Sequence, residues 1–184
     1  MPTLIYLCAT TVDPMLLMDE MVNYYVLILL LMCIIAPALS MMIMVRFGML
    51  SGLELKQRTE RTGPYMLVMF YFILCYVLLK WRMDLLPQEI FRMFLAVIVS
   101  LAVALAINLS WKISVHMLAQ GGLFGTLLAL NYLHQAPVMG FVMLSILVAG
   151  FTGYARVQLD AHTPGQVYAG FLLGTVVNVV VIMA

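Results

Sequence analysis

Residues 113–155 read ISVHMLAQGGLFGTLLALNYLHQAPVMGFVMLSILVAGFTGYA, and this stretch contains no Lys, Arg, Asp or Glu. Two apolar runs within it are separated at positions 134–137, where the sequence HQAP predicts a tight turn. Each run is about as long as an α-helix that crosses roughly 30 Å of hydrocarbon. The stretch is therefore predicted to form two consecutive membrane-spanning helices.

The composition of the whole chain supports the same conclusion. Of 184 residues, 65% are hydrophobic and 9% are charged, whereas about 25% of the residues of a typical soluble domain are charged. Because so little charge cannot cover a surface in water, the chain is predicted to be an integral membrane protein. The formal net charge of +1 does not favour an acidic partner, and nucleic acid is not expected.

The cysteines and the N-terminal segment are expected to form neither a disulfide framework nor a cleaved leader. Cys8, Cys33 and Cys75 are widely spaced, which favours small buried hydrophobes over a metal site or a disulfide framework. Residues 1–20 contain no Lys or Arg, unlike the start of a secretory signal peptide. They are predicted to form a short amphipathic or irregular lead-in. Residues 1–184 are accordingly expected to be one membrane domain without a cofactor or a metal.

Six apolar segments are predicted to be membrane helices, so the expected fold class is all-α, a polytopic bundle of six transmembrane helices. Pairs of glycines four residues apart allow close helix packing. They are Gly121 with Gly125 and Gly170 with Gly174. Packing within the bundle is the favoured interpretation, and a homodimer contact is the alternative. The six segments are 21–45, 64–79, 93–111, 117–133, 136–155 and 167–184.

The topology predicts that the polar connections meet. Because each crossing changes the side on which the chain emerges, connections 47–63, 112–116 and 156–166 are expected at one membrane face. Connections 80–92 and 134–136 are expected at the other. The Lys and Arg residues do not decide which face is cytoplasmic, because several at the first face are candidates for binding phosphate. A polar site at one face of the bundle is therefore predicted.

The last of these connections, ARVQLDAHTPGQVYAG at 155–170, carries a recognisable spacing. It resembles the third signature of the type 2 phosphatidic acid phosphatase superfamily, S-R-x5-H-x3-D. In this chain the corresponding residues are Arg156, His162 and Gln166. The second signature, P-S-G-H, is similar to ISVH at 113–116. The first, K-x6-R-P, is similar to the run that begins at Lys56 and ends GP at 63–64. The resemblance covers about residues 47–184.

What the resemblance implies is a membrane-embedded lipid phosphatase with a phosphohistidine intermediate. His162 corresponds to the nucleophile, His116 to the general acid, and Gln166 to the acid that orients the nucleophile. The resemblance also implies a set of groups that bind the substrate phosphate. They are Lys56, Ser114, Arg156 and, in place of the arginine missing at Gly63, Arg61, with Arg58 as the alternative.

The chemistry of these side chains suits a phosphate monoester, which carries close to two negative charges. Arg and Lys donate charge-assisted hydrogen bonds to phosphate oxygens, and such bonds strengthen as charge shifts in the transition state. Imidazole titrates near neutral pH, so one histidine can attack as the free base while another donates a proton. The scheme requires no metal.

Three positions depart from the family pattern, namely Gly63, Val115 and Gln166. A glutamine oxygen can accept a hydrogen bond and hold the tautomer of a histidine, but it cannot stabilise an imidazolium by charge. The analogous Asp to Asn change in a serine protease triad costs about 10⁴-fold in rate. Asp160 and Glu60 are alternative carboxylates for this role.

The expected substrate is a phosphate monoester or pyrophosphate of a lipid, of the phosphatidate, phosphatidylglycerophosphate or polyprenyl phosphate class. The expected partners are this lipid and the bilayer, and the expected location is a bacterial inner membrane, which the protein crosses several times. A non-catalytic or transport-type relative that binds a phosphorylated lipid is the main alternative. A purely structural membrane subunit is a third hypothesis.

Overall fold

The computed structural model describes residues 27–52, 55, 59–82, 88–135 and 138–184. The predicted lead-in, Cys8, Lys56 and Arg58 lie outside the described residues. All regular structure in the described ranges is helical, which confirms the all-α fold class. The helices are α1 (Leu27–Arg46), which contains a π-helical turn at Leu31–Ile35, α2 (Thr62–Arg82), preceded by a 3-10 turn at Thr59–Arg61, α3 (Gln88–Asn108), α4 (Val115–His134), α5 (Met139–Gln158) and α6 (Pro164–Met183).

Five of the helices in the described ranges, all except α4, are long and apolar enough to cross a membrane. The chain is thus a multi-pass membrane protein. Helix α4 has 20 residues, but His116, Gln120 and its glycines make its sequence less apolar than the others. The predicted count of six spans is therefore not confirmed, and the sixth crossing stays a prediction.

The ends of several helices differ from the sequence prediction for local reasons. Helix α6 begins at Pro164 rather than at 167, because Thr163 caps its first turn and proline fits the first helical position. Helix α3 covers Gln88–Asn108 rather than 93–111. Its first turn contains Glu89, which is favourable near the positive end of a helix.

Helices α4 and α6 make the closest contact in the bundle, and four glycines allow it. Gly121 and Gly125 face the backbone of α6, while Gly170 and Gly174 face the backbone around the start of α4. A Cβ atom at Gly170 would lie 2.6 Å from the carbonyl oxygen of Ser114, where no side chain fits. The glycine pairs therefore pack helices inside the bundle, as predicted.

A buried amide connects three helices at the level of this contact. Asn178 of α6 donates from Nδ2 to Ser100 Oγ of α3, 3.3 Å away, and accepts at Oδ1 from Thr126 Oγ1 of α4, also at 3.3 Å. Burial of polar groups inside a bundle is tolerated when they are paired in this way. The network fixes the register of α3, α4 and α6.

Helices α1, α2 and α3 form the other side of the bundle around an apolar cluster. Cys75 is fully buried there and Cys33 is partly buried. Both are free thiols, in agreement with the prediction that they act as small hydrophobes. Ser40 and Tyr71 add a hydrogen bond of 2.8 Å between α1 and α2. This side supports the helices that carry the site.

The alternating topology brings the polar connections together. His134 at the end of α4 lies 3.5 Å from Glu89 at the start of α3, so these two ends share one face. Helices α2, α4 and α6 all begin at the opposite face, where the connections that precede them meet. The positive ends of three helix dipoles are thus directed to this face, which favours anions.

Candidate functional site

A cavity of about 260 Å³ lies where α2, α4 and α6 begin. Its charged or titratable lining consists of Arg61, His116, Arg156 and His162, which come from all three polar connections of the sequence. The remaining lining is apolar apart from one phenol. These residues are Met41, Leu55, Pro64, Tyr65, Val68, Leu101, Val115 and Ala161. The cavity therefore offers a cationic region and an apolar region side by side.

His162 is positioned by the way the chain leaves α5. Asp160 adopts a left-handed backbone conformation with φ of 50°. The amide N–H groups of Ala161 and His162 then donate to the carbonyl oxygen of Arg156, at 3.1 and 3.2 Å. This turn is the structural reason for the spacing between Arg156 and His162, because it folds the chain back over the end of α5. It leaves His162 only 8% exposed.

Gln166 holds the imidazole of His162 in one tautomer. Its Oε1 atom lies 3.0 Å from His162 Nδ1 and accepts a second hydrogen bond from the backbone N–H of Thr163, at 3.3 Å. A backbone N–H can only donate, so the atom facing it must be the amide oxygen. His162 therefore donates from Nδ1 and carries its lone pair on Nε2.

Neither alternative carboxylate takes the place of Gln166 at this nitrogen. Asp160 is exposed, and Glu60 accepts a hydrogen bond from Ser51 Oγ at 2.8 Å. The partner of His162 Nδ1 is an uncharged amide.

Arg61 links the other two polar segments, 47–63 and 112–116, to His162. The guanidinium donates from Nε to the carbonyl oxygen of Leu55 at 2.9 Å and from Nη1 to that of Ile113 at 3.4 Å. The same Nη1 lies 3.5 Å from His162 Nε2. Arg61 is 7% exposed, and two backbone carbonyls hold it in place. Of the two arginines predicted as substitutes at Gly63, Arg61 lies beside the histidine, and Arg58 lies outside the described residues.

His116 and Arg156 line the cavity and also a second, larger space. This groove, of about 720 Å³, lies between α4 and α5 and is bordered largely by apolar side chains such as Leu123, Leu127 and Leu144. In the part of the chain that the structure describes, the Arg156 guanidinium forms no hydrogen bond. An apolar groove thus meets the cationic cavity at two shared side chains.

Ser114 and Val115 occupy the start of α4. Ser114 is 0% exposed, and its Oγ atom has no hydrogen-bond partner among the described residues. Its backbone N–H donates to the carbonyl oxygen of Gln166 at 3.4 Å. Ser114 does not line the cavity, whereas the side chain of Val115 does. Val115 therefore borders the site directly.

Tyr65 and Lys112 were not among the site residues predicted from the sequence. Tyr65 lines the cavity about one helical turn after Arg61, which ends the 3-10 turn before α2, and this spacing is the signal that links the two residues. Lys112 contributes charge, since it is one of the cations that lower the pKa of His162. Burial and the neighbouring Arg61 lower the pKa of Lys112 itself.

The electrostatics of the site keep His162 neutral. The pKa of His162 is lowered from 6.5 to about 4, chiefly by burial, and the hydrogen bond to Gln166 offsets part of this lowering. The positive charges of Arg61, Lys112 and Arg156 contribute to the same lowering. A neutral imidazole with a free Nε2 lone pair among several cations is an arrangement that can attack and bind an anion.

Among the described residues, no group of three or more His, Cys, Asp or Glu side chains is arranged to hold a metal ion. Comparison of the chain with protein-family models, with curated proteins and with solved structures finds no match. Function therefore has to be inferred from the chemistry of the cavity itself.

Proposed function

We propose that this protein is an integral-membrane lipid phosphatase that hydrolyses a phosphate monoester or pyrophosphate of a lipid through a phosphohistidine on His162. The observation that carries the proposal is the placement of His162. Its Nδ1 is hydrogen-bonded to Gln166, and its Nε2 faces Arg61 at 3.5 Å in a cavity that His116 also lines. These are the groups that phosphoryl transfer to histidine requires.

In the first step, the Nε2 lone pair of His162 attacks phosphorus, and the bond from phosphorus to the ester oxygen breaks. His116 donates a proton to this oxygen, and the alcohol leaves. In the second step, water attacks the phosphohistidine while His116 accepts its proton. The bond between phosphorus and Nε2 breaks, and inorganic phosphate is released.

Arg61 and Arg156 supply positive charge to the phosphoryl oxygens in both steps. Phosphoryl transfer depends mainly on such positioning and charge stabilisation. Arg61 is held by two backbone carbonyls, so its guanidinium is oriented before the substrate binds. Lys56, which lies outside the described residues, is proposed to contribute a further phosphate contact.

Gln166 serves one of the two purposes of the family's acid. It fixes the tautomer that leaves Nε2 free, but it provides no negative charge to balance a positive imidazole. We therefore expect slower turnover than with an aspartate at this position.

A lipid substrate is favoured by the groove between α4 and α5. This groove is largely apolar and shares Arg156 and His116 with the cationic cavity. A phosphate at the cavity can therefore remain attached to a hydrocarbon chain that lies against α5 and extends into the bilayer. The substrate would enter laterally from the membrane, and a soluble sugar phosphate would leave the groove unused.

The proposal is tested by phosphate release from dioleoylphosphatidate, a phosphatidylglycerophosphate and a polyprenyl phosphate in mixed micelles. His162→Ala should lower the rate by at least about 10³-fold and abolish an acid-labile phosphoenzyme trapped with ³²P-labelled substrate. His134→Ala is the matched control, because His134 lies at the opposite face beside Glu89. Absence of release from all three lipids by folded wild-type protein would refute the proposal.

The second candidate function is binding or transport of a phosphorylated lipid without turnover. The uncharged partner of His162 favours it, because an amide gives the nucleophile less support than a carboxylate. Under this alternative, the protein binds phosphatidate and Arg61→Ala weakens binding, yet no phosphoenzyme is trapped.

A further inference from the structure

The hydroxyl group of Tyr65 is buried at the cavity without a partner. Tyr65 is 5% exposed, and its hydroxyl oxygen forms no hydrogen bond within the described part of the chain. The residue nevertheless lines the same cavity as Arg61 and the two histidines. Because an unpaired buried hydroxyl is unfavourable, its placement at a cavity indicates an acceptor on a bound molecule.

The geometry of α2 directs Tyr65 toward the cationic part of the cavity. Arg61 ends the 3-10 turn that leads into α2, and Tyr65 follows it by four residues, about one helical turn. Long side chains on a helix lean toward its N-terminus, which for Tyr65 is the direction of Arg61. The phenol and the Arg61 guanidinium are close enough to interact electrostatically.

The Tyr65 hydroxyl can supply a hydrogen bond beyond those that Arg61 offers. Arg61 already directs Nε and Nη1 to the carbonyl oxygens of Leu55 and Ile113, which limits the hydrogen bonds it can offer to a ligand. A phosphoryl group has three non-bridging oxygens that accept hydrogen bonds. A tyrosine hydroxyl adds a neutral donor without adding another charge to a buried cationic site.

We propose that Tyr65 is a substrate-binding residue whose hydroxyl donates a hydrogen bond to a phosphoryl oxygen of the ligand held by Arg61, Arg156 and His162. This inference rests on the proposed function for its ligand, a phosphorylated lipid. It concerns binding of the phosphoryl group and requires no covalent step at Tyr65.

The test compares Tyr65→Phe with Tyr71→Phe. Both changes remove a phenolic hydroxyl from α2, but Tyr71 bonds to Ser40 and does not line the cavity. Two quantities are measured for each variant, namely the Kd of inorganic phosphate by calorimetry and the KM and kcat for dioleoylphosphatidate. Circular dichroism and the melting temperature establish that both variants are folded.

Tyr65→Phe should weaken binding of inorganic phosphate and raise KM by about tenfold each, with a smaller change in kcat. Tyr71→Phe should leave both quantities near the wild-type values. An unchanged Kd for inorganic phosphate would overturn the inference, even with a raised KM, because the hydroxyl would then contact the lipid part instead.

The phosphate measurement also separates this inference from the proposed function. Wild-type protein that binds inorganic phosphate but hydrolyses no lipid would exclude the phosphatase, while the effect of Tyr65→Phe on the Kd would still decide the role of Tyr65. Wild-type protein that binds no phosphate would overturn both.

Discussion

The Nη1 atom of Arg61 lies 3.5 Å from the Nε2 atom of His162, although 101 positions separate the two residues. A guanidinium is charged at every accessible pH and can only donate. It therefore faces the lone pair of Nε2 and opposes a proton on that atom. The contact adds to the burial that lowers the pKa of the proposed nucleophile, and it places positive charge where a phosphoryl oxygen would bind.

Titration of His162 should occur far below neutral pH. Burial and the neighbouring cations lower its pKa from 6.5 to about 4 in the folded protein, so the unfolded chain binds this proton more readily. The contribution of His162 to stability is thus complete above pH 6.5 and decreases as the pH falls toward 4. Histidine-selective NMR, with the resonance assigned by His162→Asn, measures this pKa. A midpoint near 6.5 in the folded protein would contradict the expectation.

Arg61→Ala should lower kcat/KM for phosphatidate by about 10²-fold, because the guanidinium lies 3.5 Å from His162 Nε2. Arg61→Lys should recover little of this loss, since an ammonium group cannot reproduce the fixed fork that spans Leu55 and Ile113. Arg46→Ala removes the same charge from an exposed residue at the same face and should change kcat/KM by less than about threefold. Equal losses at the two positions would indicate a general electrostatic effect instead.

Substitutions at Gln166 should separate its two roles. Gln166→Ala removes the acceptor for His162 Nδ1 and should greatly lower kcat. Thr163→Ala removes only the hydroxyl that caps α6, at a cost of about 1 kcal/mol in stability. It retains the backbone N–H that orients Gln166, so kcat should stay near the wild-type value.

Gln166→Asp restores negative charge and should raise both the pKa of His162 and kcat. The pH dependence of kcat and the melting temperature, measured on all three variants, distinguish these effects. A large loss of kcat in Thr163→Ala would mean that capping, not tautomer control, is the main contribution.

Gly174→Val should destabilise the bundle severely. An added Cβ would collide with the carbonyl of Leu118, and rigid backbone cannot yield as a flexible side chain can. Gly150→Ala is the matched control, because nothing lies within 4 Å of a Cβ at that position. Its stability should remain within about 1 kcal/mol of the wild type. Unfolding in mixed micelles followed by circular dichroism compares the two, and similar midpoints would show that α4 and α6 are not tightly packed.

The apolar pattern was sufficient to predict the helical class and the face at which the polar connections meet. Periodicity could not reveal that α4, the least apolar helix, packs most closely against α6, because its glycines lower hydropathy while permitting contact. Tyr65 was also missed, because its spacing of four residues from Arg61 points to the site only once Arg61 is known to line the cavity. Its role emerges only when the start of α2 is brought against His162 in three dimensions.

One oxygen atom, Gln166 Oε1, accepts hydrogen bonds from both Thr163 N and His162 Nδ1. The first turn of α6 and the orientation of the imidazole therefore depend on the same acceptor. Fraying of this single turn, a local opening that needs far less free energy than unfolding of the bundle, also releases the ring to rotate and exchange tautomers. Moderate heating should therefore abolish the proposed activity reversibly at temperatures at which the membrane helices remain folded.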